Sequence, residues 1–160
     1  MQAELHTLAK AADESYDLIR GMLAVLQSTD SSDLFRIFSR YAEQIEERSA
    51  IRVEFSSGGD PRPLSPKRNR QLFYIFREAI TNIEKHAHAS RISITINWNH
   101  DCVDLIISDN GQGFDPLQPH YGAHYGLKFM RERAELLNGS LNIESAENAG
   151  TKLLISVPYE

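Results

Sequence analysis

The sequence contains only one cysteine, Cys102, and one tryptophan, Trp98, among 160 residues. A single cysteine excludes an internal disulfide framework and a zinc cluster built from several thiolates. No apolar run approaches the roughly 20 residues that a membrane-spanning helix needs, and no signal-peptide pattern opens the chain. The neighbouring apolar residues predict that Cys102 is an inert thiol in the core and that Trp98 packs at the end of a strand.

Positive charge is also scarce, because 17 lysines and arginines stand against 22 aspartates and glutamates, for a net charge of −5. This balance argues against a protein that binds nucleic acid through its phosphates. The hydrophobic content of 41% and the charged content of 24% are ordinary for a globular chain of about one domain. We therefore expect a cytoplasmic domain, although a longer protein could carry a membrane anchor upstream.

The N-terminal region is predicted to be helical. Apolar residues recur there at spacings of three, four or seven, which is typical of a long amphipathic helix: Leu5, Leu8, Ala12, Ile19, Leu23 and Leu26. STDSSD (28–33) breaks this helix and caps a second one that runs to about Ala50. These helices form an arm before the first strand, and the arm has no obvious partner in the chain, which favours oligomerisation; folding back on its own domain is the alternative.

The rest of the chain alternates between strand and helix patterns. Residues 51–57 predict a strand, residues 58–66 a turn-rich connector, and residues 67–88 a helix. Further strands are predicted at 91–98 and 102–109, a helix at 125–139 that ends at Gly139, and a hairpin from 140–146 and 151–158. This order favours a two-layer α/β (α+β) sandwich over a doubly wound sheet.

A polar stripe runs along the helix predicted for residues 67–88. Residues four apart share one helix face, so Glu78, Asn82 and His86 form a row beside the apolar one, with Lys85 next to it. The amide and the carboxylate can order a hydrated Mg²⁺, and lysine or histidine can contact phosphate oxygens. A metal–polyphosphate site is one interpretation, and a solvated helix face is the other.

The loop DNGQGF (109–114) follows directly on a predicted strand. Asp109 can accept a hydrogen bond from an exocyclic amine such as adenine N6, and Gly111 and Gly113 let the backbone turn tightly beside a ligand. The spacing fits neither a Walker loop nor a Rossmann loop. Because glycines after a strand are more often only a turn, this motif alone leaves both interpretations open.

Two further segments are suited to a nucleotide. Gly126 lies at the start of a helix, whose N-terminal N–H groups and dipole can face a triphosphate. An ordinary amphipathic helix is the alternative, with core-facing residues Leu127, Met130, Ala134 and Leu137. Thr151 begins the last strand, where its hydroxyl could join Asp109 at a base or hydrogen-bond a turn.

Four collinear segments resemble the ATP-binding domain of sensor histidine kinases. They are REAITNIEKHAHAS (77–90), DNGQGF (109–114), HYGLKFMRERAELLNG (124–139) and GTKLLISVP (150–158). The MRERA helix and a short ATP lid narrow the resemblance to the nitrate-sensor and desaturase-thermosensor subfamily. The resemblance covers about residues 67–158, and it implies the Bergerat-type ATP fold with a mixed sheet that gyrase, Hsp90 and MutL share.

The resemblance implies roles at the matching positions, with ATP and Mg²⁺ as cofactors. Asn82 would ligate Mg²⁺, and Glu78 would be the polar catalytic residue that orients or deprotonates at the γ-phosphate. Asp109 would accept the adenine amine, with Thr151 in support. The other implied nucleotide contacts are Lys85, His86, Gly111, Gly113, His124, Gly126 and Leu127.

The remaining features bear on the lid and the surface. The predicted lid spans residues 115–125, a short segment that can close over nucleotide and open again. Glu84 stands where a small residue is more usual, and it is expected to face outward. Four histidines show no metal-ligand spacing: His88, His100, His120 and His124.

The N-terminal region departs from the kinase pattern in one respect. Residues 1–30 resemble the second helix of the dimerisation hairpin, and residues 31–160 would be the ATP-binding catalytic domain. The phosphoacceptor histidine belongs in the first hairpin helix, usually with an acidic neighbour. His6 is followed by Thr7 and leaves no room for a hairpin turn, so we interpret it as an ordinary exposed histidine.

The resemblance thus implies a protein histidine kinase whose phosphoacceptor lies outside this chain. The γ-phosphoryl group would pass to that histidine and then to a response regulator, in a homodimer formed through the hairpin. The alternative is a non-catalytic nucleotide-binding or dimerisation module, in which ATP only sets the conformation. The presence of both Glu78 and Asn82 favours chemistry, because binding alone could dispense with Glu78.

Overall fold

The computed structural model describes residues 31–115 and 124–159, together with the single position Leu23. The helix predicted within the first 30 residues, His6 and most of the predicted lid therefore lie outside the described residues. In the described ranges, no helix combines the length and the apolar character needed to cross a membrane.

Three helices and five strands make up the described fold. In chain order they are α1 (Ser31–Arg48), β1 (Arg52–Gly59), α2 (Pro66–Asn82) continued by a π-helical turn (Ile83–Ala87), β2 (Arg91–Trp98), β3 (Cys102–Asp109), α3 (His124–Glu135), β4 (Ser140–Ser145) and β5 (Thr151–Pro158). The bounds of β2, β3 and β5 are those that the alternation predicts. β1 runs on to Gly59 because it pairs with β2 as far as Trp98.

The strands form one mixed sheet in the order β1-β2-β3-β5-β4. β1 pairs with β2 in parallel, and the other neighbouring pairs are antiparallel. Every second residue of β2 and β3 is buried, so one face of the sheet belongs to the core and packs with the helices. The structure confirms the predicted two-layer α/β sandwich with a mixed sheet.

Helix α2 is fixed at its start and along one side. The Ser65 side chain accepts a hydrogen bond from the Arg68 N–H at 3.3 Å, and Pro66 occupies the first helical turn. The buried stripe of the helix consists of Leu72, Phe73, Ile75, Phe76, Ala79 and Ile80. Because this stripe is locked into the core, the polar row on the same helix has a defined orientation.

Helix α1 is the second helix of the predicted N-terminal arm, and it packs its apolar stripe against its own domain. For this helix the favoured interpretation, pairing with another copy, is wrong, and the alternative of folding back is correct. Leu34, Phe38, Ala42 and Ile45 are each at most 4% exposed. The Phe38 ring stacks on the Phe76 ring, with centroids 4.1 Å apart and planes 12° from parallel. This packing ties α1 to the helix that carries the polar row.

The prediction for Cys102 is wrong, because this residue lies outside the core. Its side chain is only partly buried, and Sγ lies 3.7 Å from both Asn99 Nδ2 and Asp104 Oδ1. The alternation of β3 explains the difference. Val103 and Leu105 point into the core, and Cys102 and Asp104 therefore lie on the opposite face of the sheet. Trp98, by contrast, is buried as expected, at 6% exposure.

Helix α3 ends at Glu135, before the end that the sequence pattern predicts. Asn138 adopts a left-handed conformation with a φ of 55°, and the Gly139 N–H donates to the Ala134 carbonyl at 2.9 Å. The chain therefore leaves the helix through a turn that satisfies the last carbonyls. Gly139 closes that turn and leads into β4.

Candidate functional site

A cavity of about 510 Å³ lies between α2, the end of β3, the start of α3 and the β4–β5 turn. Its volume is in the range of small-molecule sites. Its lining residues are Ala79, Asn82, Ile83, His86, Ala87, Ile107, Asp109, Gln112, Gly113, Phe114, Leu127, Glu147, Asn148, Thr151 and Leu153. The cavity thus combines apolar walls with a few polar groups.

Asp109 places a carboxylate at the end of β3 in the wall of this cavity. Its exposure is only 8%, and the Gly111 N–H donates to Oδ1 at 2.8 Å. Burial raises the pKa of Asp109 above its usual range, although hydrogen bonds from the backbones of Gly111 and Thr151 lower it in part. A buried acceptor of this kind is suited to a ligand that donates a hydrogen bond.

The glycines of the DNGQGF loop are required by close backbone contacts. A Cβ atom at Gly111 would collide with the Ala87 carbonyl oxygen, and one at Gly113 would collide with the Ala146 carbonyl oxygen. Gly113 also has a φ of 59°, a conformation that favours glycine. These contacts press the loop against the end of α2 and against the β4–β5 turn.

Gln112 joins three of the four walls of the cavity, namely the loop after β3, the end of α2 and the β4–β5 turn, a role that the sequence did not reveal. Its N–H donates to the Ala87 carbonyl at 2.8 Å, and its Nε2 donates to the His86 carbonyl at 2.7 Å. Its own carbonyl accepts from the Asn148 N–H at 2.6 Å. Gln112 lies between the two glycines of the DNGQGF loop, and nothing in the sequence indicates this role, because these hydrogen bonds depend on the tertiary structure.

The end of α2 differs from the single α-helix that the sequence predicts. Residues Ile83–Ala87 form a π-helical turn, and His88 ends it in a left-handed conformation with a φ of 52°. Such turns are rare and often occur at functional sites. The turn exposes Lys85 to solvent and places His86 in the cavity wall.

Glu78 and Asn82 lie against the first turn of α3. A Cβ atom at Gly126 would collide with Glu78 Oε1 and would lie 3.2 Å from Asn82 Nδ2. The side chains of Glu78 and Asn82 make no hydrogen bond within the described part of the chain. The absence of a side chain at Gly126 thus leaves an amide and a carboxylate available beside a helix N-terminus.

The Thr151 hydroxyl contacts a residue other than Asp109. Thr151 Oγ1 lies 2.9 Å from Ser145 Oγ, which also accepts from the Phe114 N–H at 3.0 Å. The backbone of Thr151 is the part that hydrogen-bonds the Asp109 carboxylate. Asp109 and Thr151 face each other across β3 and β5, which explains this contact.

A sequence model of one protein family matches residues 67–160, and the family is described as histidine kinase-, DNA gyrase B- and HSP90-like ATPases. The matched segment exceeds half of the chain and contains every lining residue of the cavity. The chain belongs to this ATPase family. The match confirms the expected family of ATP-binding domains.

Curated relatives of this ATPase domain are histidine kinases. The chain is 31% identical over 157 residues to the signal transduction histidine-protein kinase/phosphatase DegS of Brevibacillus brevis, covering 97% of the chain and 40% of the relative. It is 30% identical over 131 residues to the oxygen sensor histidine kinase NreB of Staphylococcus carnosus (strain TM300), covering 82% of the chain and 38% of the relative. The chain thus spans at most two fifths of the length of these relatives.

Solved structures agree on the fold of the ATPase domain. The blue-light activated histidine kinase of Erythrobacter litoralis EL346 matches with a TM-score of 0.62 at 20% identity, over 79% of this chain and 42% of that one. A histidine kinase domain from the same protein matches with a TM-score of 0.58 at 19% identity, over 81% and 60%.

The ATPase domain collects most of the predicted site residues at one place. Six of them line the cavity: Asn82, His86, Asp109, Gly113, Leu127 and Thr151. Glu78 and Gly126 adjoin Asn82, Gly111 is buried in the loop, Lys85 is exposed on the π-helical turn, and His124 begins α3. In the described ranges, no group of three or more histidine, cysteine or acidic residues could hold a metal ion.

Proposed function

We propose that this chain is the catalytic part of a two-component sensor histidine kinase. It would bind Mg·ATP and transfer the γ-phosphoryl group to a histidine outside the chain, from which a response regulator takes it. The observation that carries the proposal is one cavity lined by both the buried Asp109 carboxylate and Asn82, with Glu78 beside Asn82. The kinase relatives support it.

The adenine is proposed to lie against Asp109. The exocyclic amine of adenine donates a hydrogen bond, and a carboxylate accepts it. The remaining surroundings of Asp109 are suited to a flat ring, because Ile107 and Leu153 provide apolar walls and Gly113 lets the loop approach closely. Thr151 supports Asp109 through its backbone.

The phosphates are proposed to lie between Asn82 and the first turn of α3. Mg²⁺ prefers oxygen ligands and keeps several waters and phosphate oxygens, so one amide oxygen from the protein is enough. Asn82 fits this requirement, because it lines the cavity and its side chain has no hydrogen-bond partner in the described part of the chain. When bound, the ion would neutralise charge on the phosphates. Lys85, His86 and the N–H groups that begin α3 would neutralise the rest.

Glu78 is proposed to act at the γ-phosphate. It lies one helical turn before Asn82, and its carboxylate lies next to Gly126, where a side chain would collide with it. From there the carboxylate can orient the attacking imidazole or accept its proton. Most of the rate enhancement in phosphoryl transfer comes from positioning and charge neutralisation, which this arrangement can supply.

The longer protein is proposed to work as a homodimer. Residues 1–30, which resemble the second hairpin helix, would join two copies, and residues 31–160 would form the catalytic domain. A membrane anchor upstream is compatible with this arrangement. The phosphoacceptor would then come from the first hairpin helix, outside this chain.

The chain alone is expected to bind ATP without phosphorylating itself. In-line transfer requires an imidazole about 3 Å from the γ-phosphate, and we assign no histidine of this chain to that position. Incubation with γ-labelled ATP should therefore give no acid-labile, base-stable label. Strong labelling that disappears in His6→Gln would contradict this expectation.

A second experiment separates a kinase from a module that only binds ATP. A longer protein that includes the first hairpin helix should become labelled, and Glu78→Gln should abolish the label while ATP affinity remains. Glu43→Gln, on the exposed side of α1, is the matched control. Equal labelling of the wild type and Glu78→Gln would remove Glu78 from the mechanism, and a wild type that binds ATP without any transfer would favour the binding module.

A further inference from the structure

An ion pair joins α1 to the π-helical turn beside the cavity. Arg48 Nε donates to Glu84 Oε1 at 2.9 Å, and Arg48 Nη2 donates to Glu84 Oε2 at 2.8 Å. The two side chains are 29% and 22% exposed, respectively. The Arg48 guanidinium also lies over the Tyr41 ring, 5.4 Å from its centroid. Glu84 therefore faces away from the cavity, as expected, but a cation holds it in place.

The geometry of this pair makes it stronger than an ordinary surface contact. Two parallel hydrogen bonds between a guanidinium and a carboxylate fix both the distance and the orientation of the partners. Both side chains remain partly exposed, so the strength of the pair comes from this two-point geometry rather than from burial. Arg48 is the last residue of α1, and this helix is itself anchored in the core through Phe38 and Ile45.

The other side of the same turn forms the cavity wall. Ile83, His86 and Ala87 line the cavity, and the His86 and Ala87 carbonyls accept both hydrogen bonds from Gln112. The turn is therefore held from inside by the DNGQGF loop and from outside by Arg48. Because a π-helical turn rotates the residues that follow it relative to an α-helix, its shape sets the direction of His86 relative to Asn82.

We propose that the Arg48–Glu84 pair positions the π-helical turn for nucleotide binding and so couples the occupancy of the cavity to the placement of α1. The inference rests on the proposed function in one respect, namely that Mg·ATP occupies the cavity. Arg48 and Glu84 are positioning residues, since neither lines the cavity.

An ion pair that only stabilises the fold would behave differently from one that positions the nucleotide site. Loss of a contact that only stabilises the fold lowers the unfolding temperature but leaves the affinity of the folded protein for nucleotide unchanged. Loss of a positioning pair lowers that affinity at temperatures where the variant is fully folded. It also removes any effect of nucleotide binding on α1. This effect, the coupling between the cavity and the helix, can be measured directly.

The experiment compares Arg48→Met and Glu84→Gln with two control variants of the same chemical change. Arg40→Met and Glu47→Gln serve as controls because both residues are exposed on α1. Calorimetric titration with Mg·ATP, well below each unfolding temperature, should show affinity about 5- to 20-fold weaker in the two test variants and unchanged in the controls. The reversed pair, Arg48→Glu with Glu84→Arg, should recover part of the affinity.

Hydrogen exchange of the α1 amides gives the second readout. Mg·ATP should slow exchange across Ser31–Arg48 in the wild type and in both controls, and it should have no such effect in Arg48→Met or Glu84→Gln. Test variants that keep both wild-type affinity and nucleotide-dependent protection of α1 would overturn this inference but not the proposed function. A wild-type chain that binds no Mg·ATP would overturn the proposed function as well.

Discussion

Replacing Asp109 with asparagine is expected to remove most of the ATP affinity and to make the stability of the folded domain independent of the ionisation of this side chain. The amide oxygen of the new side chain can still accept the Gly111 N–H bond that Oδ1 accepts at 2.8 Å. Its amide nitrogen would then meet the adenine amine, so two donors face each other in a buried site. Such a mismatch costs about 1–3 kcal/mol, or about 5- to 150-fold in affinity.

The stability of this variant follows from the raised pKa of Asp109. Burial, the largest cause, raises the pKa above the value of 3.8 expected in the unfolded chain. Between these two pKa values the folded state binds more protons than the unfolded state, so the stability of the wild type falls as the pH rises through this window. Asparagine does not ionise, so this loss of stability with rising pH is absent from the variant. The stability of Asp109→Asn relative to the wild type should therefore be higher at pH 7 than below the unfolded-state pKa.

Two measurements test the role of Asp109. Titration calorimetry with ATP and with GTP should show a preference for ATP in the wild type, because guanine has a carbonyl where adenine has the amine. Thermal unfolding at several pH values should show that the stability of Asp109→Asn relative to the wild type increases with pH. Asp104→Asn, on the opposite face of the same strand, is the control and should bind ATP normally. Equal affinities of the wild type for ATP and GTP would refute the assignment.

Replacing Asn82 with alanine is expected to lose most of the affinity for Mg·ATP. The side chain is proposed as the one ligand that the protein gives to the ion, and a hydrogen-bonding or ligand contact to a charged group is worth about 1.5–3 kcal/mol, or about 10- to 150-fold. Asn82→Asp keeps an oxygen at the same place and should retain part of the affinity. Asn142→Ala, exposed on β4, is the control.

The metal dependence distinguishes a lost ligand from a distorted pocket. With EDTA present, the wild type and Asn82→Ala should bind ATP equally weakly, because the contribution of Asn82 requires the ion. With Mg²⁺ present, the two affinities should separate. Affinity for Mg·ATP that is unchanged in Asn82→Ala would remove this residue from the metal site.

Local sequence patterns were sufficient for the strands of the sheet, although not for the way in which they pair. The alternation in residues 91–98 and 102–109 predicts β2 and β3 with their observed bounds, because side chains alternate between the two faces of a strand. The same alternation argued against the core position expected for Cys102, which lies one residue before the buried Val103. The neighbouring apolar residues were therefore a weaker guide than the period of the strand.

Asp109 and Asn82, which the motifs selected, both lie on the wall of one cavity, and their roles remain predictions. Both residues belong to segments whose local patterns are strong, a strand end before a glycine loop and a helix face. No sequence pattern singled out Gln112, Glu147 or Asn148. These residues reach the cavity only because the loop and the β4–β5 turn meet there.

By itself, therefore, the sequence determined the elements, the family and the face of α2 that carries the polar row, since periodicity and short motifs depend on near neighbours in the chain. The tertiary structure alone decided the parallel pairing of β1 with β2, the π-helical turn at Ile83–Ala87 and the contact of Arg48 with Glu84. Each of these depends on residues that are far apart in the chain, or on packing that selects one backbone conformation over another of similar local energy.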